Sequence, residues 1–238
     1  MMQINTDFHS HILPGMDDGS RSVEESLDML RMEADQGITR VVATPHFYPH
    51  RDHPDRFLRR REKAEMLLRE AMAGKKNLPE LYVGAEVYYF SGISDSELIS
   101  ELTIDQKSCI LLELPSVPWT ETMYREIEGL YSKRGLVPII AHVDRYLTGW
   151  HGLGIPKRLA ELPVLVQANA DFFLERATAR KAMRMLKEDS IHLLGSDCHN
   201  CGDRKPNLGN ALDRIRQQLG DHALERIASY ERMVLKAR

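Results

Sequence analysis

The chain has 238 residues, 42% of them hydrophobic, and a formal net charge of −3. That is enough apolar material for one α/β domain spanning residues 1–238 and too much for a disordered chain. The slightly acidic balance excludes general nucleic-acid binding through a basic surface.

The three cysteines suit a reducing compartment better than a disulfide framework. The start, M-M-Q-I-N-T-D-F-H, lacks the basic and apolar regions of a signal peptide, and no apolar run is long enough to cross a bilayer. The expectation is a cytoplasmic protein with no direct membrane insertion.

In chain order, a short apolar run at residues 3–8 predicts a first strand that ends in His9-Ser10-His11. A helix follows at 23–36. Ser22 with Glu25 forms a capping box, Val23, Leu27, Leu30 and Ala34 form an apolar stripe, and Gly37 marks the stop. A second strand at 40–44 leads to His46, and a helix at 54–73 follows. Strands at 81–85 and 109–112 deliver Glu86 and Glu113. A helix at 121–133 precedes a strand at 137–141 that ends at His142. A short helix at 157–161 precedes a strand at 164–168 that ends at Asn169. A helix at 178–188 precedes a strand at 192–195, followed by Asp197 and His199. Helices at 208–219 and 223–235 close the chain. Short branched runs alternating with amphipathic segments predict a parallel sheet, either doubly wound or closed as a barrel.

In a parallel barrel the C-terminal strand ends converge on one face. Here they would bring His, Asp and Glu side chains into one cup. Residues i and i+2 of a strand share a face, so His9 and His11 can chelate one ion, with Asp7 as a candidate orienting group. A lone strand-end histidine is usually just hydrogen-bonded. Six apolar runs that each end in His, Glu or Asp are better explained by divalent metal, since isolated buried charges are costly. The ligands are too many for one ion, so a cluster of two or three is expected. His50, His53, His151, His192 and His222 end no strand and read as surface or loop residues.

The stretch S-D-C-H-N-C-G-D-R at 196–204 admits three chemistries: a C-x-x-C pair, a Cys-x5-Arg phosphatase loop, or metal binding by Asp197 and His199. Asp197 and Asp203 would repel both a thiolate and a phosphate. No second pair at zinc-ribbon spacing accompanies the cysteines. The metal reading is favoured. The segment F-Y-P-H-R-D-H-P-D-R-F-L-R-R-R after His46 reads equally as a flap with steering arginines or as an exposed basic helix face.

The motifs D-F-H-S-H, D-D-G, T-P-H, G-A-E, L-E-L-P, A-H-V-D-R-Y and S-D-C-H-N…R-K-P follow one another in order. Together they resemble the PHP (polymerase and histidinol phosphatase) superfamily, and within it the metal-dependent bacterial protein-tyrosine phosphatases of capsule and exopolysaccharide loci. The resemblance implies a distorted (β/α)7 TIM-like barrel with a trinuclear site. It implies that His9, His11, Glu86 and Asp197 hold one metal, and that Glu86 bridges to a second held with Glu113 and His142. Asp18, His46 and His199 would hold the third, with Asp17 leaving a one-residue ambiguity. Arg145 and Arg204 match the phosphate-binding arginines. Manganese is the expected metal, with iron, zinc or magnesium as alternatives. The implied partner is the phosphotyrosine tail of a bacterial tyrosine kinase that regulates polysaccharide synthesis, and a homo-oligomer is compatible with this. The competing readings are a histidinol-phosphate phosphatase with the same centre and a metal-stabilised binding module.

Overall fold

Strand β1 (Thr6–Ser10) is buried at every position and lies at the start of a computed structural model that describes residues 6–147, 152 and 154–236. Residues 3–5 of the predicted first strand, and His151, lie outside the described residues. β1 pairs in parallel with β2 (Arg40–Ala43), and β2 with β4 (Glu80–Val83). These two staves then break and resume as β3 (His46–Phe47) and β5 (Glu86–Tyr88), which pair with each other. The break after β2 falls at Pro45, whose nitrogen has no proton for a ladder. Its carbonyl still accepts the Glu86 amide at 3.0 Å. β6 (Cys109–Glu113), β7 (Val137–Ile140), β8 (Leu165–Asn169) and β9 (Leu193–Gly195) continue the sheet, all parallel.

The last stave meets the first through a parallel bridge between Ser10 and Cys198. The Asp197 amide donates to His9 O at 2.7 Å and the His11 amide to Cys198 O at 2.8 Å. The result is the expected distorted (β/α)7 barrel, with seven staves built from nine strand segments among the described residues.

Helices α1 (Val23–Asp35), α2 (Pro54–Met72), α3 (Glu121–Arg134), α4 (Ile155–Ala160), α5 (Ala170–Leu174), α6 (Ala179–Lys187), α7 (Leu208–Leu219) and α8 (Asp221–Lys236) complete the described elements, with 3-10 turns between β5 and β6 and after β7. Ser22 caps α1 through the Glu25 amide at 3.2 Å, as its motif predicts. Glu25 reaches back to the amide of Arg21 rather than that of Ser22, one residue earlier than a standard capping box. The short α5 was not visible in the apolar pattern. It begins directly at the end of β8.

Outward-facing strand residues pack under the helices in the larger apolar cluster. Inside the barrel Phe8, Val42, Leu111, Ile139, Leu165 and Leu193 form a second cluster with Val234 and Leu235 of α8. That apolar floor lies toward the N-terminal ends of the strands. The polar residues are left to the opposite end. Among the described residues no helix is long and apolar enough to cross a membrane.

Candidate metal centre

The seam between the first and last staves sets the centre of the cup. β1 carries an irregularity between Asp7 and Ser10. Asp7 Oδ1 accepts the His9 amide at 3.0 Å and the Ser196 amide at 2.9 Å. Asp7 therefore grips backbone on both sides of the seam and does not orient an imidazole, as its position had suggested. Gly195 is needed here: a Cβ on it would lie 2.6 Å from His9 Cβ and 2.9 Å from His9 N.

Four buried donors converge above the seam. His9 Nε2 lies 3.2 Å from His11 Nε2, 3.2 Å from Glu86 Oε2 and 3.6 Å from Asp197 Oδ1. His11 Nε2 lies 3.3 Å from Glu86 Oε2 and 3.4 Å from Asp197 Oδ1. A tetrahedral site with metal–ligand distances of about 2.0–2.2 Å has donor–donor edges of about 3.3–3.6 Å. The separations among His9, His11 and Glu86 thus fit a single ion, Asp197 Oδ1 lies within 3.6 Å of both imidazoles, and two histidines with two carboxylates are a donor set for manganese, iron or zinc.

Glu86, only 1% exposed, is the hub. Its Oε1 faces His142 Nε2 at 2.7 Å, and its Oε2 also faces His46 Nδ1 at 2.8 Å. Glu113 Oε1 lies 3.7 Å from His142 Nε2. On the other side Asp18 Oδ1 lies 3.6 Å from His46 Nε2 and 3.5 Å from His199 Nε2. The nine side chains expected from sequence therefore occupy one cup, arranged as three neighbouring donor groups around Glu86.

The adjacent aspartates have different positions. Asp17 Oδ2 takes His11 Nδ1 and the His46 amide, both at 2.8 Å, and its Oδ1 takes the Gly19 amide at 3.0 Å. Asp17 thus fixes the tautomer of His11, while Asp18 is the one that faces His46 and His199. His199 donates Nδ1–H to Asp197 O at 2.9 Å, which leaves the Nε2 lone pair pointing into the cup. That atom and Glu113 Oε2 are buried without a hydrogen-bond partner among the described residues, as expected of groups placed for a cation.

Two of the cup residues sit in left-handed backbone, which costs of order 1–3 kcal/mol for a non-glycine residue. They are His142 at φ 31° and Asp197 at φ 55°. Each is held by its own amide: His142 N donates to Gln167 Oε1 at 2.6 Å, Asp197 N to His9 O at 2.7 Å. The turn directs both side chains from the strand ends into the cup.

The electrostatics are those of a strongly polarised pocket. Burial would raise the Glu86 and Asp197 carboxyls, but His9 and the imidazoles around it hold both far below the usual range. Burial likewise opposes charge on His9 and His11. Glu86 and Asp197 outweigh it at His9, and chiefly Asp17 at His11, so both imidazoles are raised. Burial, then the charge of His11, pushes His199 down to about 4, so it stays a neutral donor at pH 7. A divalent cation would take the place of the imidazole protons.

Arg145 and Arg204 reach Asp197 from opposite sides. Arg145 donates to Oδ2, and Arg204 donates to Oδ1 at 3.0 Å. Their side chains are 41% and 39% exposed, and they border a cleft of about 300 Å³ with Asn169 and Lys205. The adjacent Asp144 is turned to another task, its Oδ1 accepting the Asn169 amide at 3.0 Å. Asn169 Nδ2 donates to Asp197 Oδ2 at 3.0 Å.

Sequence reasoning missed Gln167. It touches His9 Nδ1 at 3.4 Å, holds the His142 amide and donates to Asn169 Oδ1 at 3.0 Å. Its period-2 relation to Asn169 on β8 was the available signal. It also missed Tyr48, whose ring lies 5.0 Å from His46 and 5.5 Å from Tyr88. Tyr89 turns away and donates to Glu126. In the segment after His46, Arg56 and Arg60 pair with Asp52, and Arg61 binds the Gly84 and Glu101 carbonyls. These arginines are structural ties.

The cysteine alternatives fail on geometry. Cys198 is 1% exposed and faces Glu33, with Sγ 3.9 Å from Oε1. Burial, then the neighbouring acids, pushes its thiol well above the ordinary range, which leaves no thiolate nucleophile. Cys201 is exposed, unpaired with Cys198, and points to Glu25 O.

Residues 5–235 match the family described as capsular polysaccharide synthesis, CpsB/CapC. The chain is 29% identical over 229 residues to tyrosine-protein phosphatase CpsB of Streptococcus pneumoniae, with 90% of each chain covered. It is 27% identical over 225 residues to tyrosine-protein phosphatase YwqE of Bacillus subtilis (strain 168), covering 90% of this chain and 85% of that one. Putative tyrosine-protein phosphatase CapC of Staphylococcus aureus is 27% identical over 208 residues, covering 83% and 78%. The fold superposes with a TM-score of 0.85, at 22% identity and covering 97% and 94%, on a chain from the crystal structures of YwqE from B. subtilis and CpsB from S. pneumoniae, described as metal-dependent tyrosine phosphatases. The barrel, the cup and these likenesses agree with the branch that the motifs suggested, and the chain belongs to the CpsB/CapC capsular polysaccharide synthesis family.

Proposed function

We propose that the protein is a metal-dependent protein-tyrosine phosphatase, acting in the cytoplasm on the phosphotyrosine tail of a tyrosine kinase that controls capsular or exopolysaccharide synthesis. The observation that carries this reading is the cup itself: two buried imidazoles each within 3.6 Å of both buried carboxylates, with two half-exposed arginines meeting on one of those carboxylates. The names of the relatives support the substrate class.

His9, His11, Glu86 and Asp197 would hold one ion, Glu86 with Glu113 and His142 a second, and Asp18, His46 and His199 a third. When bound, such a cluster, with manganese the expected metal, supplies Lewis acidity and an acidified water for phosphomonoester hydrolysis. Arg145 and Arg204 exchange their Asp197 contacts for phosphoryl oxygens, which their forked donors suit. Asn169 keeps Asp197 oriented when the arginines leave it. Tyr48 and Tyr88 wall one side of the cup beside His46 and suit an aryl group. The leaving phenol has a pKa of about 10, so an aryl phosphate needs less help from a general acid than an alkyl phosphate does.

The test compares kcat/KM of the manganese-loaded protein on a phosphotyrosine peptide and on histidinol phosphate. The peptide is expected to be favoured by at least about tenfold, a modest transition-state difference of roughly 1.4 kcal/mol. Preference for histidinol phosphate would assign the same centre to a small alkyl substrate.

A further inference from the structure

Beside the phosphoryl cleft lies a second cavity, of about 100 Å³. Among the described residues its walls are Pro115, Pro118 and Trp119 of the loop after β6, Tyr146, Ile155 and the side chain of Arg145. Val117 of the same loop also lines it and is 59% exposed.

We propose that this cavity is a specificity subsite for the substrate peptide. It takes a small apolar side chain, aliphatic or proline, carried one to three residues from the phosphotyrosine, and Trp119 is the residue that sets the preference. The inference rests on the reading of the cup as a protein-tyrosine phosphatase site.

The cavity is continuous with the cup on two flanks. Arg145 borders both the cavity and the phosphoryl cleft, so its side chain is the wall between them. Its guanidinium reaches Asp197, which leaves the methylene stem to the apolar side. On the other flank the Trp119 ring lies 5.0 Å from Tyr146, edge to face, and the Tyr146 ring lies 5.6 Å from His142. An extended peptide advances about 3.3 Å per residue. A chain with its phosphotyrosine in the cup therefore passes the cavity within a few residues.

The lining decides what enters. Trp119 donates Nε1–H to Pro115 O at 3.2 Å, and the Tyr146 hydroxyl accepts the Leu114 amide at 2.9 Å. A polar side chain would lose its water and find the tips of both aromatic walls engaged. Size narrows the choice further. A cavity of roughly 150 Å³ accepts benzene, so one of about 100 Å³ suits an aliphatic side chain or a proline ring and excludes an aromatic one.

The cavity is also preformed. Pro115 and Pro118 have fixed φ, and Thr120 ties the end of the loop to α3 through the Met123 amide at 3.3 Å. The Leu114 amide is tied at the other end by Tyr146. Binding a side chain there costs little ordering of the loop.

The experiment measures kcat and KM of the Mn²⁺-loaded full chain on phosphotyrosine peptides that carry Leu, Pro, Phe or Ser at each of the three positions on either side of the phosphotyrosine. p-Nitrophenyl phosphate, which has no flanking residue, is the control. Leu or Pro is expected to exceed Ser in kcat/KM at one position by about tenfold, chiefly through KM, the low end for a filled apolar pocket. Trp119→Ala should bring that ratio to within about twofold and leave p-nitrophenyl phosphate hydrolysis nearly unchanged. Val117→Asp changes an exposed position, places a charge beside the apolar occupant and should lower the same ratio; it carries the test if Trp119→Ala does not fold. No preference at any position, a preference for Ser or Phe, or a preference that the folded variants retain overturns this inference alone. So does an equal loss on peptide and p-nitrophenyl phosphate in Trp119→Ala, which would make Trp119 a support of the cup. A wild-type chain that hydrolyses p-nitrophenyl phosphate and none of the peptides overturns the protein-tyrosine reading, and this inference with it.

Discussion

Arg204→Ala separates catalysis from structure. Arg204 donates to Asp197 Oδ1 at 3.0 Å from a side chain that is 39% exposed. Asp197 is buried but keeps Arg145 and Asn169 as partners, and the guanidinium is more than a third exposed, so losing the pair costs about 1 kcal/mol of stability. Against a phosphoryl group the same guanidinium makes charge-assisted hydrogen bonds of about 1.5–3 kcal/mol each. It must give up Asp197 to make them, so the net effect is at the low end of that range. About 1.4–2 kcal/mol corresponds to roughly 10–30-fold in kcat/KM. The assay is steady-state hydrolysis of a phosphotyrosine peptide, with Mn²⁺ content and thermal unfolding measured on the same preparation. The expected result is a 10–30-fold loss in kcat/KM with metal content and stability nearly unchanged. Unchanged activity, or a loss that tracks loss of metal, would refute the assignment of Arg204 to the phosphoryl group.

Other consequences are open to simple tests. Gln167→Leu leaves the His142 amide and His9 Nδ1 without their partner; it should cost about 1–3 kcal/mol in unfolding free energy and weaken Mn²⁺ binding about 10–100-fold. Asp18→Asn should lose one metal equivalent, because Asp18 faces His46 and His199, whereas Asp17→Asn should keep the count and lower the affinity. Elemental analysis with and without excess Mn²⁺ distinguishes the two. Alkylation of the folded chain at pH 8, read by mass spectrometry, should modify the exposed Cys201 alone, because burial pushes Cys109 up to about 11 and Cys198 well above its ordinary value. Modification of Cys198 at a comparable rate would contradict its placement.

Much of the centre was legible because strand ends are local features. An apolar run of four or five residues followed by His46, Glu86, Glu113 or His142 reveals both the stave and the group it delivers. What joins staves is not local. No spacing in the sequence says that Asp7 bonds the amide of Ser196, 189 positions away, or that Gln167 braces His142 and His9. Asp17 and Asp18 could not be separated by adjacency, because the distinction depends on which carboxylate meets the His11 Nδ1 and which meets the His46 and His199 Nε2 atoms. The breaks at residues 44–45 and 84–85 were hidden inside runs apolar enough to read as single strands. Arg145 and Arg204 were singled out through the family resemblance, and their positions just after two strands favoured a phosphate role over a surface ion pair.

The most direct test is hydrolysis of p-nitrophenyl phosphate by the purified chain, before and after chelation, with Mn²⁺ restored and Cys198→Ser assayed alongside. Activity that disappears with the chelator, returns with the metal and persists in the serine variant is the predicted result. Activity that survives chelation and vanishes with Cys198 would contradict the metal centre and return the chemistry to the thiol.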